Sequence, residues 1–329
     1  MKTEQITSTG HILPALFLLT AFAGGDALGQ NKAPGATFRD CDHCPEMVVI
    51  PAGEFVMGSS QQESGHTDEK PQHKVTIANN FAVSKTEVTF EQWDACTDAG
   101  ACPTADDEGF GRGNFPVINV SWTDAQAYVA WLTKKTGAGY RLLSESEFEY
   151  AVRAGTTTPW FWGEAEASWG SAKACEFANL HDEAGKDAHP MYVWSHHKCN
   201  DGYAENAPTG HYKPNPFGLY DMNGNVREWV QDCHQEGYKG APADGSVRPL
   251  AGAGPVACEK KFEGVCMDHF EGGAGDGAAG EQGGTCEKRV VRGGAWVDGA
   301  STARSAYRYS EAEDFRNYQV GLRVARDLK

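Results

Sequence analysis

The stretch NPFGLYDMNGNVREWV at positions 215–230 gathers more chemistry-bearing groups than any other in the chain. Asp221 and Glu228 flank a bend built from Gly218, Gly224 and the pair Asn223/Asn225, residue types that accept positive φ and side-chain-closed turns. Two readings fit this spacing. A hard cation such as calcium takes six to eight oxygens from carboxylates and backbone carbonyls on a folded-back loop. Alternatively, a tight turn caps a short helix and leaves the acids in solvent. Downstream lie RVVRGGAW (289–296) and ARSAYRYS (303–310). His181, His189, His196 and His197 fall in one region, but without a fixed helical spacing they read as loop histidines rather than as an iron site. The chain has no phosphate loop, no dinucleotide fingerprint and no Gly-x-Ser-x-Gly elbow.

These residues must be positioned by short elements. Apolar runs at 47–50 and 54–57 around Pro51-Ala52-Gly53 predict a hairpin, and 75–77 and 81–83 predict further strands. Thr89 and Gln92 have capping-box spacing for a helix to about Cys96. A strand is expected at 117–120, leading into a helix opened by Thr123 and Gln126 and closed by Gly137 and Gly139, with Tyr128, Trp131 and Leu132 on one face. Ser144 and Glu147 open a third helix through Arg153. Residues 240–284, rich in Gly, Ala and acids, predict a long surface insert. No repeat or compositional break divides the rest, so residues 45–329 read as one irregular, loop-rich α+β domain after a linker at 30–44.

Composition narrows the function classes. A net charge of −16 argues against nucleic-acid partners and anionic membranes, and suits divalent cations. The apolar run at 12–23, followed by small residues at Ala27-Leu28-Gly29, reads as a signal peptide over 1–29; it is too short for a stable membrane anchor. A periplasmic or secreted location follows, in agreement with ten cysteines. Proximity suggests the pairs Cys41–Cys44, Cys96–Cys102, Cys175–Cys199, Cys258–Cys266 and Cys233–Cys286, although sequence does not fix connectivity.

The blocks MVVIPAGEFVMGS, VSKTEVTFEQW, PVINVSWTDAQAYVAWL, RLLSESEFEYAVRAGTTTPWFWGE, GLYDMNGNVREWV, RVVRGGAW and GLRVAR occur in this order across residues 45–326. Together they resemble the formylglycine-generating enzyme, or sulfatase-modifying-factor, family. The resemblance implies that family's fold, which is related to C-type lectins. It also implies two structural Ca2+ sites: one from Asp221 and Glu228 side chains with Gly224 and Val226 carbonyls, the other from Asn179 and Asp201 side chains with Leu180 and Tyr203 carbonyls.

The family's oxidative centre is another matter. Its enzymes carry two cysteines five apart that bind copper(I), with a serine nearby. Those positions match Asp298, Ala303 and Ala295, so the copper-cysteine route is not expected here. Asp298, Arg304 and Tyr307 remain as catalytic candidates, and Arg292, Trp296, Arg304 and Arg308, with Arg316, as a grip for a carboxylate, sulfate or phosphate. Some of these arginines could instead be internal ion-pair partners. The expected function is an exported, oxidoreductase-type tailoring or maturation factor acting on a peptide or small-molecule substrate, its redox metal unassigned; the family's pyoverdine-maturation member is a precedent. The alternative is a non-catalytic, calcium-stabilised binding module.

Overall fold

The computed structural model describes residues 1–2, 32–61, 63, 65–163, 172–248, 261–262, 265–266 and 286–328. Residues 32–328 form one compact unit. Among the described residues, no helix is long and apolar enough to cross a membrane. The expected signal peptide lies almost wholly outside the described residues.

Thirteen short strands and four α-helices are described, besides three single 3-10 turns. In chain order they are β1 (Thr37–Phe38), β2 (Met47–Ile50), β3 (Gly53–Met57), β4 (His73–Ile77), β5 (Phe81–Ser84), α1 (Phe90–Asp98), α2 (Trp122–Thr136), β6 (Tyr140–Leu142), α3 (Glu145–Arg153), α4 (Glu183–Ala188), β7 (Arg227–Cys233), β8 (Lys261–Phe262), β9 (Val265–Cys266), β10 (Arg289–Arg292), β11 (Tyr309–Glu311), β12 (Val320–Leu322) and β13 (Val324–Asp327). A five-stranded sheet runs β1-β2-β5-β13-β6 and a four-stranded sheet runs β11-β10-β7-β12, with β3-β4 and β8-β9 as separate pairs. All pairings are antiparallel except β12 with β7.

The interior strands are buried on both faces, which explains why neighbouring positions such as Trp229/Val230 and Val290/Val291 are both apolar. In β7, Trp229 packs with Trp93, Tyr128 and Leu322, whereas Val230 points into a second core with Ile50, Val83 and Phe148. Val291 and Val290 of β10, and Val324 and Ala325 of β13, divide between the same two cores. Arg323 lies where β12 passes into β13 and ties the sheets together. Its guanidinium, fully buried, donates to Glu228 of β7, to the Ser84 carbonyl of β5 and to the Tyr220 carbonyl.

Several expectations require correction. β2 and β3 are not a hairpin: β2 joins β1 and β5 inside the large sheet, and β3 pairs with β4. The apolar content of β2 reflects a central position, which local pattern cannot separate from one hairpin arm. Residues 32–44 are not a free linker, since they carry β1 and the Cys41–Cys44 disulfide. Residues 117–120 form no strand, although the Val117 amide donates to the Val88 carbonyl. α2 starts two residues earlier than expected, on a capping box of Ser121 and Asp124. Thr89/Gln92 and Ser144/Glu147 are capping boxes as anticipated. Residues 240–248 pack onto the core, with Ser144 Oγ donating to the Gly245 carbonyl and the Thr76 amide to the Ala243 carbonyl. The rest of the expected insert lies mostly outside the described residues.

Four of the expected disulfides are present: Cys41–Cys44, Cys96–Cys102, Cys175–Cys199 and Cys233–Cys286. The Cys258–Cys266 pairing falls outside the residues whose side chains are described.

Candidate functional site

β10 is followed at once by Gly293 and Gly294, both at positive φ (96° and 79°), and the chain turns sharply into residues 295–308. A Cβ on Gly294 would crowd Ala303, so the turn needs glycine for space as well as for φ. Asp298 sits at the apex, 8% exposed. Its Oδ1 accepts from Arg227 Nη2 at 2.7 Å, and its Oδ2 accepts the Ala295 amide at 2.9 Å. Burial pushes the Asp298 carboxyl above its ordinary range against the opposing pull of Arg227. Arg227 is itself held: its Nη1 donates to Gln319 Oε1 at 2.5 Å, and its guanidinium lies 5.0 Å from the Tyr309 ring. Tyr307 is pushed up to about 12, by burial first and by Asp298 second, so it stays a protonated hydroxyl.

An aromatic wall stands beside this pair. The Trp296 ring lies 6.0 Å from both Tyr318 and Phe110, and Tyr192 stacks on Trp194 at 4.6 Å. Trp194 Nε1 donates to the Val297 carbonyl at 2.9 Å, which fixes the wall to the Asp298 loop while Trp194 stays 44% exposed. Trp296 Nε1 is buried without a partner.

The arginines proposed as an anion grip are placed differently. Arg292 donates to Glu149 and to the carbonyls of Ser305, Ala306 and Tyr307. Arg304 grips Glu69 through two nitrogens and also reaches Glu63. Arg308 forks onto Glu145 and donates to the Asp68 and Gln235 carbonyls. All three are buried. Arg316 pairs with Asp124. Arg292, Arg304 and Arg308 fill the internal ion-pair role, tying the 295–308 segment to loop 59–71 and to α3, whereas Arg316 is half exposed and reaches α2. Arg227, which the sequence reading passed over, is the arginine that faces Asp298. Its signal was available: it opens the strand after the glycine-asparagine bend.

The two loops implied to hold calcium lie side by side. Asn225 joins them at φ 59°: its amide donates to the Asn179 carbonyl, its Oδ1 accepts from the Ala207 amide and Asn179 Nδ2, and its Nδ2 donates to Glu87 Oε1. A Cβ on Gly224 would strike the Asn179 carbonyl. Asp221 is followed by more bend and then by β7, not by a helix, and it is buried rather than in solvent. Asn179 Oδ1 and Asp221 Oδ1 are buried without partners, as ligand oxygens awaiting a hard cation would be. The residues therefore fit the group, and a cation there would tie loops that lack regular structure. Asp201 accepts from the Leu180 and Tyr203 amides, and its carboxyl is raised to about 7 by burial first and Asp182 second. Glu228, by contrast, is committed to Arg323 through both oxygens.

Copper does not fit. Asp298, Ala295 and Ala303 offer no thiolate, and no cysteine among the described residues is free. Cys175 lies near Asp182 and Asp201, but its sulfur is bound to Cys199. The histidines gather without forming a metal-ligand cluster among the described residues: the His181 ring lies 6.0 Å from that of His196, but His189 pairs with Glu205 at 2.7 Å and His196 with Glu183 at 3.2 Å. His181 is fully buried against Tyr192 and Trp194, and burial lowers its pKa.

Comparison with known proteins agrees with this geometry. The family model for the sulfatase-modifying factor enzyme 1-like domain matches residues 34–328. The formylglycine-generating enzyme of Streptomyces coelicolor is 30% identical over 270 residues, covering 65% of this chain and 80% of its own. That of Mycobacterium tuberculosis is 29% identical over 240 residues, covering 56% and 73%. Among solved structures, PvdO from Pseudomonas aeruginosa superposes with a TM-score of 0.69 at 35% identity, covering 90% of this chain and all of that one. The Treponema denticola variable protein 1 shares the fold at 20% identity and a TM-score of 0.58. With its mixed sheets, few helices and long loops arranged as in these proteins, the chain belongs to the formylglycine-generating enzyme (sulfatase-modifying factor) family and has that family's C-type-lectin-related fold.

Proposed function

We propose that this chain is an exported tailoring or maturation factor that acts on a peptide or small product at the Arg227–Asp298 pair, by oxidoreductase-type chemistry outside the copper-cysteine route. The paired charge at this position carries the reading. Where the resemblance places the first thiolate stands Asp298, buried and held at 2.7 Å by Arg227. A carboxyl raised by burial holds a proton more readily than an ordinary carboxylate, which suits it to general acid–base work. Arg227 and the Ala295 amide hold it in one orientation, and Tyr307 supplies a neutral hydroxyl nearby. Tyr318, Tyr192 and Trp194, packed over the buried Trp296, offer an apolar surface beside it for the substrate. The disulfides support export to the periplasm or beyond.

The second reading, a non-catalytic and calcium-stabilised binding module, is favoured by one observation: Arg292, Arg304 and Arg308 are consumed by internal carboxylates. Extracts of native cells lacking the chain, compared by mass spectrometry with those of the parent, separate the two. Accumulation of a precursor that the intact chain clears and an Asp298→Asn variant does not, at equal protein level, supports tailoring. Full clearance by Asp298→Asn overturns it. A stoichiometric redox metal in protein purified from its native compartment would further favour the first reading over the second.

A further inference from the structure

We infer, resting on the tailoring function proposed above, that His189, oriented by Glu205, is the general base of the same site and takes a proton from an O–H or N–H group of the substrate on the aromatic wall. His189 closes α4, on a segment fastened to the Asp298 loop at two points. The His181 amide donates to the Asp298 carbonyl at 3.0 Å, and Trp194 Nε1 donates to the Val297 carbonyl at 2.9 Å. Between these ties the His189 ring lies 5.5 Å from that of Trp296 and 5.1 Å from that of Tyr192, stacked on the latter. Packing by two rings fixes the plane of the imidazole. Its Nε2 meets Glu205 Oε1 at 2.7 Å, and the Glu205 carbonyl in turn accepts from Asn179 Nδ2 at 2.7 Å. The His189 and Glu205 side chains stay 24% and 31% exposed, so the pair is held in place yet open to a ligand.

The Glu205 contact decides where the imidazole carries its proton. A carboxylate oxygen only accepts, so Nε2 donates, and Nδ1 of the neutral ring keeps its lone pair. Nδ1 makes no hydrogen bond among the described residues and is not enclosed, which leaves that lone pair for a substrate. Glu205 then faces the imidazolium that forms, as a fixed counter-charge. Asp298 is placed for the opposite task. Its Oδ1 accepts from Arg227 and its Oδ2 from the Ala295 amide, and burial raises it, so it is better suited to giving a proton than to taking one. Two groups pushed apart by their surroundings divide an acid–base cycle between them. Tyr192 does not compete as a base: burial first and the Tyr318 hydroxyl second push it up to about 12, so it stays a neutral phenol. The balance is a single proton. It leaves the substrate heteroatom, whose bonding pair stays on that atom, and rests on Nδ1 until solvent removes it.

The test adds the purified full chain back to an extract of native cells that lack it and follows the accumulated precursor by mass spectrometry. His189→Ala should clear the precursor about a hundredfold or more slowly, the size typical of one acid–base group. Added imidazole should restore part of that rate, because a free ring can enter the gap between Trp296 and Tyr192; a side chain that only packs is not replaced in this way. Glu205→Gln should slow clearance less than His189→Ala does, since the base remains and only its counter-charge is lost. His189→Phe keeps the stacked ring without its nitrogens and should be as slow as His189→Ala; it decides the matter where His189→Ala fails to fold. Clearance at the parental rate by either His189 variant, while Asp298→Asn clears nothing, overturns the assignment and leaves the tailoring function standing. A folded His189→Ala whose loss imidazole does not relieve also overturns it. Where no precursor accumulates, or Asp298→Asn clears it in full, the tailoring function fails and the base with it.

Discussion

Arg292→Met distinguishes an arginine that holds the fold from one that waits for a substrate. The Arg292 side chain is fully buried; it meets Glu149 Oε2 at 2.6 Å and donates to three successive carbonyls, Ser305, Ala306 and Tyr307, at 2.7–2.9 Å. Methionine fills similar space but donates nothing. Removing one partner of a buried ion pair costs about 3–5 kcal/mol. Glu149 keeps Arg153 at 2.9 Å and the Gly58 amide at 2.7 Å, so the low end of that range applies. The three carbonyls add roughly 1 kcal/mol each if no water reaches them, and less as the loop relaxes. A total of about 4–5 kcal/mol is expected, a large part of the 5–15 kcal/mol that typically holds a domain folded. Urea unfolding followed by tryptophan fluorescence measures it as a lowered midpoint, and Arg292→Lys should lose less because the charge remains. A cost for Arg292→Met below about 1 kcal/mol, the size expected at an exposed position, would refute the structural role.

Copper-loaded protein incubated with a Cys-x-Pro-x-Arg peptide should show no mass loss from aldehyde formation, since Asp298 and Ala303 supply no soft ligand; turnover like that of an authentic family enzyme would contradict this. Thiol titration of the unfolded, unreduced chain should find no free thiol. Eight cysteines are paired in four described disulfides, and Cys258 and Cys266 remain, so three or more free thiols would break the scheme. Asp232 predicts a pH effect. It is buried, accepts the amides of Glu145 and Arg248, and is raised from 3.8 to about 7 by burial first and the Glu145 carboxylate second. An acid raised on folding contributes stability that is complete below its unfolded pKa and is lost as pH rises through its folded one. The stability of the parent relative to Asp232→Asn should therefore fall between pH 3.8 and about 7, and a flat or rising difference would reject the assignment.

The sequence by itself determined what is written in local chemistry. Thr89/Gln92 and Ser144/Glu147 start helices because a hydroxyl and its partner three residues on close the first turn without outside help. Cysteines close along the chain, such as Cys41 and Cys44 or Cys96 and Cys102, have little freedom to pair elsewhere. The ordered blocks gave the family, and the missing thiolates followed from reading identities at matched positions. Pairing between distant segments was not legible. The strand at 47–50 could not reveal from its own residues that it pairs with β1 and β5 rather than with its neighbour in sequence. The arginines looked available because charge is visible in a sequence while its partner is not; Glu149, Glu69 and Glu145 lie more than a hundred residues from the arginines they neutralise. Arg227 likewise meets Asp298 only where the turn after β10 brings that loop back over β7. Tertiary structure alone decides these contacts, because burial determines which charges must find each other and the fold determines which ones can.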